Sequence, residues 1–181
     1  LVWASKLLGQ PLPERVAGSD LIEPALRLAA RRGYRVYFLG AAPGVAEKAA
    51  VVAKEKFGAL IVGTDAPMVR LDDTAKVDAI AAQLVAAKPD LVMMAFGAPK
   101  QELLIDRIAE RVKPAVFLGI GASLDFLAGT IKRAPAVMRK TGFEWLYRLS
   151  QEPTRLWRRY LINDPRFVAI LLRTMRAQRS R

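Results

Sequence analysis

Two turns that contain glycine follow apolar runs in this chain, and they carry the polar side chains best placed to meet a ligand. The first reads Phe96-Gly97-Ala98-Pro99-Lys100-Gln101-Glu102 and leads into a helical pattern with Leu104, Ile105 and Ile108. Gly97 lets backbone approach a bound group closely, Pro99 restricts the turn, and Lys100 with Gln101 offers donors beside a helix N-terminus, which attracts anions. The same composition also suits an ordinary strand-to-helix turn whose polar residues cap and solvate it, and composition alone favours that simpler role. The second turn reads Gly119-Ile120-Gly121-Ala122-Ser123-Leu124-Asp125-Phe126. It matches half of a dinucleotide fingerprint, but Leu124 stands where the third glycine belongs, so it is weak evidence for a nicotinamide cofactor. Asp125 is placed to accept from a ribose or a base, although an aspartate in a first helical turn is also ordinary dipole chemistry.

A third group consists of cations. Arg148, Arg155 and Arg158 recur at spacings of seven and three, close to helical periodicity, and so can converge on one anion. For any single arginine a solvated face is the simpler account. For the set, interleaved with Trp145, Trp157 and Tyr160, anion binding is favoured. The charge distribution agrees: of a net +12, residues 133–181 hold twelve Arg or Lys against Glu144, Glu152 and Asp164, a net of +9. A basic end of this kind seeks phosphates, whether of nucleic acid, anionic lipid or a diphosphate ligand. The chain has no cysteine and no histidine, which removes disulfides, thiolate nucleophiles, the usual general base and the commonest metal ligand together. Any chemistry falls to carboxylates, amides, hydroxyls and cations.

The elements that must position these residues alternate. Short apolar runs at 34–39, 60–63, 91–96 and 115–119 are separated by helix-period segments, which predicts an α/β fold with a Rossmann-like, mostly parallel sheet flanked by helices. Each run is nearly all apolar, as for strands buried on both faces. Gly40-Ala41-Ala42-Pro43-Gly44 makes the turn after the first run, and Val45, Ala49 and Val52 then recur at helical spacing. Asp72 or Asp73 caps a helix whose buried stripe is Val77, Ile80, Ala81 and Leu84, and Lys88-Pro89-Asp90 ends it. Ligands in such sheets sit beyond the carboxyl ends of strands, so the turns after 96 and 119 are expected to form opposite walls of one site, with Gln101 and Asp125 on the same face.

From Pro135 onward the strand pattern stops, and the chain reads as short helices punctuated by Gly142, Pro153 and Pro165. We therefore expect a core over 1–134 and a basic amphipathic helical appendage over 135–181. In the appendage Leu156, Trp157, Tyr160 and Leu161 alternate with Arg155, Arg158 and Arg159, and Phe167, Val168, Leu171, Leu172 and Met175 oppose Arg166, Arg173 and Arg176. No apolar run approaches the length of a membrane span. At the front, Leu1, Ala4, Leu7 and Leu8 share one helical face, so the chain is expected to continue upstream of Leu1.

The segments 15–20, 96–102, 119–129, 133–135, 142–149 and 152–161 resemble, in order, the blocks of the WecG/TagA/CpsF family, glycosyltransferase family 26. The Phe-Gly-x-Pro-Lys-Gln-Glu element is the most specific of them. The resemblance implies an inverting transferase that moves a hexose such as N-acetylmannosamine, its uronic acid or a relative from a UDP donor to a polyprenyl-diphosphate-linked acceptor, in cell-surface polysaccharide synthesis. It implies a cytoplasmic protein held peripherally on the inner face of the membrane, with an anionic lipid surface as partner, room for a homo-oligomer, and no nucleic acid. By matching position, Arg15 and Gln101 are the catalytic candidates. Phe96, Gly97, Lys100, Gly121 and Asp125 would bind the donor, Asp125 at the uridine, and Arg148, Arg155 and Arg158 would bind the diphosphate. The family's proposed base is an aspartate in an Asp-Gly element expected upstream of Leu1. Without it the chain would bind donor yet fail to turn it over, unless Asp125 or Glu102 takes that part.

Inversion needs a carboxylate to accept the acceptor hydroxyl's proton while negative charge grows on the leaving UDP. No Asp-x-Asp metal element occurs, so neither metal nor cofactor is expected; arginine forks match diphosphate oxygens and stay charged. Two other classes remain open on the residues alone. A basic nucleic-acid-binding domain would use the +9 tail, and a nicotinamide-dependent oxidoreductase would use the second turn.

Overall fold

The computed structural model describes residues 2–13, 16–158, 162 and 165–179. In chain order the elements are α1 (Val2–Leu7), α2 (Gly18–Arg32), β1 (Arg35–Gly40), α3 (Val45–Phe57), β2 (Leu60–Asp65), α4 (Thr74–Ala87), β3 (Leu91–Ala95), α5 (Lys100–Ile108), a 3-10 turn (Ala109–Val112), β4 (Val116–Gly119), α6 (Ser123–Leu127), α7 (Ala136–Thr141), α8 (Glu144–Gln151), α9 (Pro153–Arg158) and α10 (Pro165–Arg179). They divide into two compact units, a sheet unit of Val16–Lys132 and a helical unit of Leu1–Arg15 with Arg133–Arg181. The first helix thus groups with the C-terminal helices rather than with the sheet.

The four apolar runs become four parallel strands in the order β2-β1-β3-β4. The α/β reading holds, and the sheet is parallel at every described pairing. The central strands are buried throughout most of their length, with Val36, Phe38, Leu39, Val92, Met93 and Met94 out of contact with solvent. The expectation that all four runs are buried on both faces fails at the edges. Leu60 of β2 and Val116 of β4 are about half exposed, because an outer strand has one neighbour and less helical cover.

Alternation along the central strands splits the core into two layers. Val36, Phe38 and Met93 pack with α2, α3 and α6, whereas Tyr37, Leu39, Val92 and Met94 pack with α4 and α5. In α3 the buried stripe is Val45, Ala46, Ala49, Ala50 and Ala53, with Val52 only half-buried, so small side chains bring this helix close to the sheet. In α4 the stripe is the expected Val77, Ile80, Ala81 and Leu84, each buried. The Asp73 carboxylate accepts from the Lys76 backbone N–H at 3.1 Å and so caps α4, an interaction worth about 1 kcal/mol. Lys88, in the left-handed conformation, ends that helix. The helix α2, which starts with Gly18, Ser19 and Asp20, buries Ile22, Leu26 and Ala29 in the first layer.

A register shift between Val36 and Tyr37 sets Tyr37 opposite Gly63 of β2. The phenol ring lies over that glycine so closely that a β-carbon there would stand 2.3 Å from Tyr37 Cε2. Burial raises the Tyr37 hydroxyl pKa above its ordinary 10.0, and the nearby Asp65 carboxylate raises it further.

In the helical unit the predicted stops are used as stops: Gly142, left-handed at φ 85°, ends α7, and Pro153 and Pro165 begin α9 and α10. The sequence-based face of α1 is only partly right. Ala4 is buried, but Leu7 is 62% exposed.

Candidate functional site

The chain leaves the two central strands in opposite directions. From β1 it runs through α3, in the first layer, to the edge strand β2; from β3 it runs through α5, in the second layer, to the edge strand β4. Such a switch point opens a crevice beyond the carboxyl ends of the central pair. The turn at 40–44 and the turn at 96–99 flank it. The first of these was not legible as a site in the sequence, because its importance depends on strand order. Its Gly-Ala-Ala-Pro-Gly composition was the only available signal.

That turn is shaped by close backbone approach. Gly40 adopts φ 106°, and a β-carbon on it would stand 2.9 Å from the Ala95 carbonyl and 3.2 Å from Phe96 Cδ2. Ala41 N–H donates to Ala95 O at 2.9 Å, and Ala41 holds φ 69°. A positive φ on a residue with a β-carbon costs roughly 1–3 kcal/mol and persists only where its surroundings enforce it. The turns after β1 and β3 are therefore fastened to each other.

In the second turn Lys100 Nζ lies 5.1 Å from the centroid of the Phe96 ring, and Gly97 is open to solvent. Gln101, one residue into α5, is buried at 6% exposure. Its Nε2 donates to Glu102 Oε1 at 3.2 Å, while its Oε1 has no hydrogen-bond partner among the described residues. Leaving a buried acceptor unsatisfied costs about 1–3 kcal/mol. The same Nε2 stands 2.1 Å from where a β-carbon of Gly119 would be, so glycine at the end of β4 is what admits Gln101.

The turn after β4 joins the same edge. Ile120 N–H donates to Met94 O at 2.9 Å, and the buried Ser123 hydroxyl donates back to Ile120 O. Gly18 of α2 lies against this turn, its would-be β-carbon 3.0 Å from Ile120 Cα. Gly121, at φ 53°, completes the bend before α6.

The expectation that Gln101 and Asp125 share a face is overturned. The helix bearing Gln101 buries Leu104 and Ile108 in the second layer, whereas the helix bearing Asp125 buries Leu124 in the first. The two turns still meet at the carboxyl edge, but through Gln101 and Gly119. The Asp125 carboxylate accepts from the Thr130 hydroxyl at 3.4 Å. Asp65 closes β2 at the same edge and was not singled out by its sequence context.

The arginine set belongs to the helical unit. Arg148 is half-buried on α8, and Arg158 is exposed at the end of α9. The Arg155 side chain and the whole of Arg15 lie outside the described residues, as do Arg159, Tyr160 and Leu161 and the side chain of Arg166.

Comparison with known proteins bears on the same blocks. The model of the glycosyl transferase WecG/TagA/CpsF family matches residues 1–181. The N-acetylglucosaminyldiphosphoundecaprenol N-acetyl-beta-D-mannosaminyltransferase of Bacillus spizizenii is 38% identical over 178 residues. That alignment covers 98% of this chain and 66% of the relative, so the chain spans just under two thirds of the relative's length. With the Phe96 to Glu102 turn at the carboxyl edge of a parallel sheet and the family match running the full chain, this protein belongs to the WecG/TagA/CpsF family of glycosyl transferases.

Proposed function

We propose that the protein moves an N-acetylmannosamine-type hexose from a UDP donor onto a sugar linked to a polyprenyl diphosphate, with inversion at the transferred carbon. The observation that carries this reading is the unsatisfied, buried Oε1 of Gln101 at the carboxyl edge, where three backbone turns converge. The relative from Bacillus spizizenii is named for a mannosaminyl transfer to a diphosphoundecaprenol-linked sugar, which supports the choice of sugar and acceptor.

In this reading the donor lies over the turns after β1, β3 and β4. Gln101 fixes the orientation of the sugar, with Phe96, Gly97 and Lys100 along one wall, while Gly121 approaches the nucleoside. Arg148, Arg155 and Arg158 are the cations proposed for the diphosphate, since guanidinium forks keep their charge and match phosphoryl oxygens in pairs. Arg15 is the second catalytic candidate, alongside Gln101 in role. The acceptor hydroxyl gives its proton to a carboxylate, the sugar carbon exchanges its bond to the UDP oxygen for one to that hydroxyl, and UDP departs.

The protein works at the inner membrane surface. Among the described residues no helix is long and apolar enough to cross a membrane. Instead Trp157, Phe167, Val168, Ile170 and Leu172 are exposed in a segment rich in arginine, the pattern of shallow interfacial binding to anionic lipid.

The test is transfer of labelled N-acetylmannosamine from its UDP donor to a polyprenyl-diphosphate-linked N-acetylglucosamine, by the protein as its gene encodes it, in chelator-treated buffer. Gln101→Ala should lower kcat/KM by about 10²-fold or more, within the range for losing one oriented polar group at a reacting centre. Full activity in Gln101→Ala, or activity that returns only with added manganese, would refute the proposal.

A further inference from the structure

We infer that the helical unit holds a dedicated slot for the isoprenoid chain of a polyprenyl diphosphate, an inference that rests on the acceptor class proposed above. The slot is an open groove of about 310 Å³ between α1, the segment after it, and α10. Its apolar lining is Ala4, Leu8 and Leu12 from the front of the chain and Phe167, Ile170 and Leu171 from α10. The polar residues along it are Ser5, Gln10 and Thr174, all uncharged. Among the described residues no ionised side chain lines the groove, so its chemistry suits a hydrocarbon chain and not a headgroup.

Three observations point to a lipid with an anionic head. First, the groove leaves Leu12, Phe167 and Ile170 at 48%, 39% and 59% exposure, although burying each such side chain is worth about 1.5–3 kcal/mol. Secondly, α10 carries Arg166, Arg173, Arg176 and Arg179 and no acid, so cations lie on the same helix as the apolar wall. A neutral lipid has no use for that charge, whereas a lipid diphosphate does. Thirdly, the groove is short. Its volume is near the small end of ordinary ligand pockets, enough for a few isoprene units of a longer chain.

The slot gives the cationic helical unit a means of choosing one lipid from an anionic bilayer, where headgroup charge alone chooses nothing.

Binding of farnesyl diphosphate, dodecyl phosphate and inorganic diphosphate to the complete chain tests this by calorimetry, without vesicles. Farnesyl diphosphate should bind at least about tenfold more tightly than either of the others, a difference equivalent to about 1.4 kcal/mol. Ile170→Trp, which fills the groove from an exposed position, should erase that advantage. Val51→Trp, also exposed but outside the lining, should keep it. Equal affinity for farnesyl diphosphate and dodecyl phosphate would mean an unselective apolar surface and would overturn the inference. So would farnesyl diphosphate binding no better than inorganic diphosphate, or full affinity in Ile170→Trp with an unchanged unfolding midpoint. These readouts need no sugar transfer: loss of the transferase reading with selective farnesyl binding intact would leave the slot standing, and the reverse result would remove only the slot.

Discussion

The side-chain amide of Gln101 fills the space that a β-carbon would need at Gly119. The first residues of α5 and the last residue of β4 are thereby locked together, and a change at either position acts on the other. Gly119→Ala should force the amide aside and lower donor affinity nearly as much as Gln101→Ala does, and the double variant should be little worse than either alone, because neighbouring residues in one contact do not add. Gln101→Leu separates function from stability. It removes a buried acceptor that lacks a partner, so its unfolding free energy should equal or exceed that of the parent by up to about 1 kcal/mol while donor binding falls. Chemical denaturation alongside UDP titration checks both; a Gln101→Leu chain that loses several kcal/mol would show that the amide is structural.

Gly40→Ala should destabilise the sheet unit by about 2 kcal/mol or more, since the new methyl group meets the Ala95 carbonyl at 2.9 Å in a backbone conformation that L-residues avoid. The turn after β1 would then separate from the turn after β3, and donor affinity should fall with stability. Urea unfolding at constant m-value is the measurement, and a neutral result would mean that the two turns are not fastened as described.

Tyr37 gives a pH dependence with a definite sign. Its folded-state pKa is raised above 10.0 by burial and by Asp65, so the stability linked to the neutral phenol is fully present below pH 10.0 and is lost as pH rises through the folded value. Tyr37→Phe removes that titration. The unfolding midpoint of the parent should therefore decline more steeply than that of Tyr37→Phe above pH 10.0, with parallel profiles between pH 6 and about 9. Parallel profiles over the whole range would place the phenol in water in the folded state.

Membrane binding should depend on side chains that the helical unit leaves exposed. Replacing Trp157, Val168 and Leu172 together with serine should weaken flotation with anionic vesicles by at least about tenfold, because each buried apolar side chain is worth on the order of 1 kcal/mol or more at an interface. Raising salt should weaken what binding remains. Unchanged flotation of the triple variant would assign membrane contact to another surface.

The parallel sheet was legible because Val36 to Leu39 and Leu91 to Met94 are continuous apolar runs, the pattern of strands buried on both faces. The α4 stripe was legible because Val77, Ile80, Ala81 and Leu84 repeat at helical spacing, and helix ends at Gly142, Pro153 and Pro165 follow from backbone chemistry that needs no tertiary context. The edge strands were overread: burial on both faces depends on what covers a strand, and Leu60 and Val116 resemble buried residues in type alone. Gln101 was found through its motif, but its contact with Gly119 was not, since a glycine's missing β-carbon has no sequence signature for its neighbour. The placement of Asp125 failed because the two turns look alike in composition, whereas the layer each following helix joins depends on the crossover. Leu7 was assigned inward by periodicity, but α1 is only six residues long, too short for periodicity to fix a face.

The central claim is that the carboxyl edge of the sheet binds a UDP donor through backbone turns and side chains of this chain, without a metal. Titration of UDP into the protein in chelator-treated buffer, repeated with magnesium and with nicotinamide adenine dinucleotide, tests it most directly. UDP should bind with the same affinity with and without magnesium, at least about tenfold more weakly to Gln101→Leu, and in preference to the dinucleotide. Failure to bind UDP, binding that requires the metal, or preference for the dinucleotide would contradict the account.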